Sequence, residues 1–177
     1  MRILVTGNAG AGKTTLARRI AAELGIPCHG LDSIVWQSGW RKTPADEKAR
    51  RIAELVAPDA WVIDGVSGQV LTQAEVVVFL DVPRRLCFWR VAKRNWRYLF
   101  HSRPDLPPGC PEIRIIPTLI RIIWDFPAKI RPGILDRAEP AINGQRFLHV
   151  RTSAELTALL GADLKELAEK MMKDAGK

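Results

Sequence analysis

Apolar residues recur along this chain in two forms, as short consecutive runs and as positions that return every three or four residues. Runs of the first kind predict strands buried on both faces; the second kind predicts amphipathic helices. The two alternate, which predicts βαβ units feeding a parallel sheet. Residues 2–6 ("RILVT") read as the first strand, followed by a helix over 14–24 with Leu16, Ile20, Ala21 and Leu24 on one face and Gly25 as its stop. A second strand is predicted at 27–32. Thr43 is placed to cap the next helix, with Pro44 in its first turn, Asp46 completing an acidic capping box, and Ile52, Ala53 and Val56 in its apolar stripe. Residues 60–64 and 75–81 predict two more strands, so three strands end on an aspartate: Asp32, Asp64 and Asp81. Pro83 opens a helix to about Tyr98, with Asp81 its expected cap, and a Pro-rich loop follows over 101–112. An apolar helix is expected over 115–126, interrupted by Pro117 and continuing past Pro127 and Pro132 toward Ala138. Residues 146–150 form the fifth strand, and Thr152 with Glu155 makes a capping box that Asp163 and Glu166 repeat after Gly161.

Composition narrows the class. At 177 residues, with 47% hydrophobic and 26% charged positions, the chain suits one globular domain over 1–177. No apolar stretch approaches the roughly 18 residues that span a bilayer, and no leader pattern precedes the first strand; a cytoplasmic protein without a membrane partner is expected. Cys28, Cys87 and Cys110 are odd in number and widely spaced, and only three histidines are present, which argues against a disulfide framework or a zinc site. A net charge of +8 attracts polyanions without distinguishing nucleotide phosphates from nucleic acid.

The stretch "TGNAGAGKTT" (6–15) carries the strongest chemistry. Gly7, Gly10, Gly12, Lys13 and Thr14 satisfy G-x-x-x-x-G-K-[ST] between a predicted strand and a predicted helix, the context that separates a phosphate-binding loop from a glycine-rich turn. In such a loop backbone N–H groups, including those of Ala11 and Thr15, turn toward phosphate oxygens. Lys13 supplies a point charge and the Thr14 hydroxyl a ligand for Mg²⁺. ATP and Mg²⁺ are therefore the expected cofactors.

With "GNAGAGKTTLAR", "HGLDSIVWQSGW", "WVIDGV", "FLDVPRRLCFWRVAKR", "RPDLPPGCPE" and "IIWDFPAKIRP" in view, the chain resembles the P-loop nucleoside monophosphate kinase-like proteins, near adenylate, shikimate and gluconate kinases, and more closely the DNA topology modulation proteins. The resemblance implies a three-layer α/β P-loop NTPase fold with a five-stranded parallel sheet in order 2-3-1-4-5. It further implies an acceptor-binding segment at about 32–57 and an arginine-bearing lid at about 90–131. Arg94 would stack on adenine, Arg103 would reach the phosphates, Arg131 would face the acceptor or the transferred phosphoryl group, and backbone near Arg151 would meet the adenine edge.

The residues themselves leave alternatives beside each assignment. Asp32 and Asp64 stand where ligands gather at strand ends, as metal ligands or, for Asp32, as a proton acceptor; each could equally cap the next helix. Seven cations occur between Arg84 and Arg103 with no acid, and Arg90, Arg94 and Arg97 share a helical side, either to meet a triphosphate or as a solvated face. Trp36, Trp40 and Arg41 form an acceptor wall or a packed rim. Asp64–Gly65 resembles a Walker B position, and the arginine that adenylate kinases carry shortly afterward has no counterpart in "DGVSGQ", where Gln69 is the nearest substitute. The expected activity is ATP-dependent phosphoryl transfer to a small acceptor, a nucleoside monophosphate among the candidates. The alternative is a nucleic-acid-associated P-loop ATPase.

Overall fold

The computed structural model describes residues 1–98, 100–102, 106–136 and 145–161. Among them, five parallel strands form one sheet: β1 (Arg2–Gly7), β2 (Cys28–Gly30), β5 (Trp61–Asp64), β6 (Val76–Leu80) and β7 (Arg146–Val150), arranged β2-β5-β1-β6-β7. Numbering only these five in chain order gives 2-3-1-4-5, the expected arrangement. Between β2 and β5 lie a helical turn, α2 (Asp32–Val35), a small antiparallel pair, β3 (Trp36–Gln37) with β4 (Arg41–Lys42), and α3 (Ala45–Val56). The remaining helices are α1 (Lys13–Leu24), α4 (Gly68–Gln73), α5 (Arg84–Tyr98), α6 (Glu112–Lys129), α7 (Arg131–Leu135) and α8 (Ser153–Gly161).

Alternation along the central strands produces the layers. Ile3 and Val5 of β1 face α1, α5 and α6, joining Leu16, Ile20, Val91 and Ile123 in one buried cluster. Leu4 of the same strand joins Ile63, Trp61 and Val77 against Ile52 of α3 and Val70 of α4 on the other side. Helices therefore cover both faces, as continuous apolar strands require.

Three expectations change. Thr43 does not cap α3, whose N-cap position is Pro44; its hydroxyl donates instead to the Ile34 carbonyl at 2.6 Å, tying the chain after β4 back to α2. Asp81 does not cap α5, because its carboxylate accepts from Arg131 and His149. The third concerns α6, which runs unbroken from Glu112 through Pro117 and Pro127. Each proline costs about 3 kcal/mol in a helix interior. Four buried side chains on this helix, Ile115, Leu119, Ile123 and Phe126, contribute about 1.5–3 kcal/mol apiece, so burial wins. The predicted second capping box, Asp163 with Glu166, lies outside the described residues.

The approach of α5 to the loop after β1 is limited by a glycine. Gly10 has φ +78°, and a Cβ there would lie 2.6 Å from the Cys87 carbonyl oxygen and 2.8 Å from a Val91 methyl. Gly10→Ala is expected to lower stability by about 1–3 kcal/mol through overpacking. Gly25→Ala at the end of α1 meets open space and carries only the strain of φ +66°, about 1 kcal/mol. Thermal unfolding of the two variants should rank them in that order.

Candidate active site

The carboxyl ends of β1 and β5 bring the first site residues together. Beyond β1 the loop turns back on itself, the Ala11 N–H donating to the Asn8 carbonyl at 3.1 Å, and α1 starts at Lys13 with Gly12 as its left-handed N-cap. Amides at a helix start preceded by such a turn form an anion-binding concavity. Lys13 folds over it, its Nζ donating to the Asn8 carbonyl at 3.0 Å. The Thr14 hydroxyl donates to the Asp64 carboxylate at the end of β5, so the loop's hydroxyl and the buried strand-terminal acid meet directly. Asp64 does not cap α4, whose N-cap is Ser67 with its Oγ accepting from the Val70 N–H at 3.4 Å. Thr15 is exposed on the outer side of the same turn.

The loop is also held from above. A helix interior carbonyl normally accepts the N–H four residues later, and Pro127 has none to offer to Ile123. The Ile123 oxygen instead accepts Asn8 Nδ2 at 3.0 Å, while Asn8 Oδ1 accepts the Ala9 N–H at 2.8 Å. Beneath the loop lies Cys87, whose thiol is pushed above its ordinary range by burial, against the opposing pull of Lys13 and Arg90, and stays neutral there.

Of the expected lid arginines, Arg90 reaches the loop, its Nη1 donating to the Ala11 carbonyl at 2.8 Å. Arg94 is half-buried on the same side of α5 beside Asn95 Oδ1. Arg103 and the side chain of Arg97 lie outside the described residues. Arg131 is engaged by protein: its Nε donates to both oxygens of Asp81, at 3.0 and 2.9 Å. Asp81 also meets His149 Nε2 at 2.9 Å, and His149 Nδ1 accepts from Arg151 Nε at 3.3 Å. Because Nδ1 accepts, Nε2 carries the imidazole proton toward Asp81. His149 stacks on Phe79, its neighbour in register on β6. The sequence offered no motif for this Arg131–Asp81–His149–Arg151 chain, whose members come from three separate segments: the end of β6, the start of α7 and the end of β7.

On the acceptor side, Asp32 opens α2 and is exposed, just past Leu31, whose N–H donates to the Asp64 carbonyl at 2.8 Å. Asp32 and Asp64 thus share one edge of the sheet, with Gly65 buried between them and Gln69 exposed on α4. Trp36 and Trp40 meet edge to face with centroids 5.4 Å apart, and both pack against the main core. Trp40 Nε1 donates to the Pro111 carbonyl at 2.9 Å, Ser38 Oγ to the Pro108 carbonyl at 2.7 Å, and Cys110 Sγ approaches the Gln37 carbonyl at 3.5 Å. These contacts tie the β3–β4 pair to the start of α6, while Arg41 is exposed on β4. Among the described residues no group of three or more His, Cys, Asp or Glu could hold a metal by itself. Thr14 with Asp64 fits Mg²⁺ in the other way, since that ion commonly takes one or two protein oxygens and completes its shell with phosphates and water.

The fold is an α/β one with a parallel five-stranded sheet, and the glycine-rich loop joins its central strand β1 to α1. No protein-family model matches the chain, and no curated protein matches it in sequence. Among solved structures it is similar to shikimate kinase from Acinetobacter baumannii in complex with shikimate, at TM-score 0.52 and 20% identity, covering 97% of this chain and 90% of that one. Shikimate kinase from Bacteroides thetaiotaomicron matches at TM-score 0.52 and 18% identity, over 96% and 98% of the two chains. A gluconokinase from Sinorhizobium meliloti 1021 matches at TM-score 0.53 and 18% identity, over 98% and 96%. The likeness is one of fold.

The Asn8 anchor generates a pair of outcomes. Asn8→Ala removes two hydrogen bonds and leaves a buried carbonyl unsatisfied, so stability should fall by about 1–3 kcal/mol. Pro127→Ala supplies an N–H to that same carbonyl and should leave stability unchanged or raise it. Equal losses in chemical denaturation of both variants would contradict the assignment.

Proposed function

We propose that the protein transfers the γ-phosphoryl group of ATP to a small acceptor. The observation that carries this reading is the complete phosphate-binding loop with Thr14 set on Asp64 and Arg90 set on Ala11. In this reading the amides of 10–15 hold the phosphate chain, with Lys13 exchanging the Asn8 carbonyl for phosphate oxygens. Thr14 and Asp64 hold Mg²⁺, which supplies neutralisation of phosphate charge. Asp32, exposed at the sheet edge, accepts the proton of the acceptor hydroxyl or lies near the metal. Arg90 and Arg94, with Arg103 and a released Arg131, surround the transferred group; Arg151 and the backbone beside it border the adenine. Transfer of this kind demands little covalent chemistry of the protein, so positioned positive charge provides most of the acceleration.

The acceptor segment of 32–57 and the lid of 90–131 keep their assigned roles in this proposal. Shikimate kinases and a gluconokinase as structural neighbours, together with the lack of an arginine after Asp64–Gly65, favour a small hydroxy acid over a nucleoside monophosphate. The adenylate-kinase-like and DNA-topology-modulation resemblances rest on sequence motifs alone. A nucleic-acid-associated ATPase draws on the same basic α5, and a DNA titration at two salt concentrations separates it, since backbone binding weakens steeply with salt.

Lys13→Ala is expected to lower turnover about a thousandfold or more while the circular dichroism stays native. Unchanged turnover in the pure variant would reject the assignment. A transfer screen with ATP and Mg²⁺ over hydroxy acids, nucleosides and nucleoside monophosphates should yield a phosphorylated product; ADP release without one would favour the ATPase alternative.

A further inference from the structure

Helices α5 and α6 carry an apolar face that the described residues leave uncovered. On α6, Ile115, Leu119, Ile123 and Phe126 are buried, which uses one side of the helix. On the opposite side Ile113, Pro117, Ile120, Trp124 and Ala128 recur at i, i+4, i+7, i+11 and i+15, and every one is exposed. Helix α5, which packs on α6, does the same: Arg85, Trp89, Ala92 and Trp96 share one exposed side, with Phe100 just beyond. Trp96 is 82% exposed, Phe100 70% and Trp124 62%. The two faces meet where the Arg84 guanidinium lies 4.6 Å over the Trp124 ring. Single exposed apolar residues are ordinary on a soluble protein; two contiguous stripes with three tryptophans and a phenylalanine mark a contact surface.

Charge decides what covers it. Among the described residues, the exposed charged side chains around the stripes are Arg84, Arg85 and Lys93 on α5 and Arg114, Arg121 and Lys129 on α6. The one half-buried acid among them, Asp125, is already taken by Lys129 at 2.6 Å and Arg121 at 3.7 Å. A second copy docked here would set one cationic helix against another. A nucleic-acid duplex would meet the arginines but find no use for an aliphatic stripe four turns long. Apolar side chains with a cationic border and tryptophans between are what a bilayer surface of anionic lipid accommodates, the rings settling at headgroup depth and the arginines and lysines reaching phosphate. No helix of the described residues is long and apolar enough to cross a membrane, so the contact is peripheral.

We infer that the joint face of α5 and α6, centred on Trp96, Ile120 and Trp124, docks on anionic lipid. This departs from the expectation of no membrane partner, which concerned spanning segments. It is independent of the phosphoryl-transfer reading.

The test is flotation of the full chain with vesicles of phosphatidylcholine alone and with about 30% phosphatidylglycerol added, at low and high salt. The protein should float with the anionic vesicles only, and less at high salt. The variant W96A/I120A/W124A should partition at least about tenfold more weakly. Arg85→Glu with Lys93→Glu should weaken it too, and this pair decides the matter if the apolar variant proves misfolded by thermal unfolding. Failure to float with anionic vesicles overturns the inference, as does undiminished flotation of the variants. A dimer that forms through these residues, or DNA bound through them in preference to vesicles, overturns it as well.

Discussion

Every carbonyl inside a helix is ordinarily taken by the N–H four residues on, and Pro127 breaks that rule at one position, releasing the oxygen of Ile123 within a buried stretch. Asn8 Nδ2 takes that oxygen at 3.0 Å. A proline in the second half of α6 thus frees the Ile123 carbonyl to fix the second residue of the glycine-rich loop, Asn8, a hundred and fifteen positions before Ile123 in the chain. The same loop is met from α5 through Gly10, where only the lack of a side chain permits the Cys87 carbonyl to come so close, and from β5 through Thr14 and Asp64. Three elements clamp one loop, so its amides are ordered before any anion arrives and little ordering entropy has to be overcome on binding.

Cations around the edge of the sheet are held in a common manner. Lys13 rests on the Asn8 carbonyl, Arg90 on the Ala11 carbonyl and Arg131 on the Asp81 carboxylate. The first two acceptors are neutral and belong to the loop, and a charged acceptor makes a stronger hydrogen bond than a neutral carbonyl. Arg131 differs, since its partner is an ionised group that is itself supported by His149 and, through that ring, by Arg151. Releasing Arg131 means exchanging one charge-assisted contact for another, which sets a threshold that the two carbonyl-held cations do not face.

How much of this the sequence discloses depends on the range of the interaction. The loop motif is local, and so is the alternation that predicts βαβ units and a parallel sheet, whereas the strand order follows only from the family resemblance. Gly25 ending α1 and the Thr152–Glu155 capping box, where the Glu155 N–H donates to Thr152 Oγ1 at 3.1 Å, are local too. Local rules misled where a distant partner was available. Thr43 has a helix start beside it and takes the Ile34 carbonyl; Asp81 precedes Pro83 and takes Arg131, fifty positions away. Pro117 reads as an interruption because helix propensity is a property of the segment, whereas the buried face that carries α6 past it exists only once the sheet is assembled. Asn8 sits at an unconstrained position of the motif, and nothing local gives it a role.

The β3–β4 pair shows how two segments distant in sequence become one mechanical unit. Trp40 to Pro111 and Ser38 to Pro108 join that pair to the stretch leading into α6 across about seventy residues of chain, with Gly109 held against Ser38 Oγ. Each such bond contributes about 0.5–1.5 kcal/mol net. Two of them, with the edge-to-face tryptophan pair packed beneath, amount to a few kcal/mol, the size of the differential affinity by which a ligand shifts a two-state equilibrium. Any displacement of the stretch leading into α6 away from the β3–β4 pair has to break these contacts, so the positions of the two segments are energetically one variable.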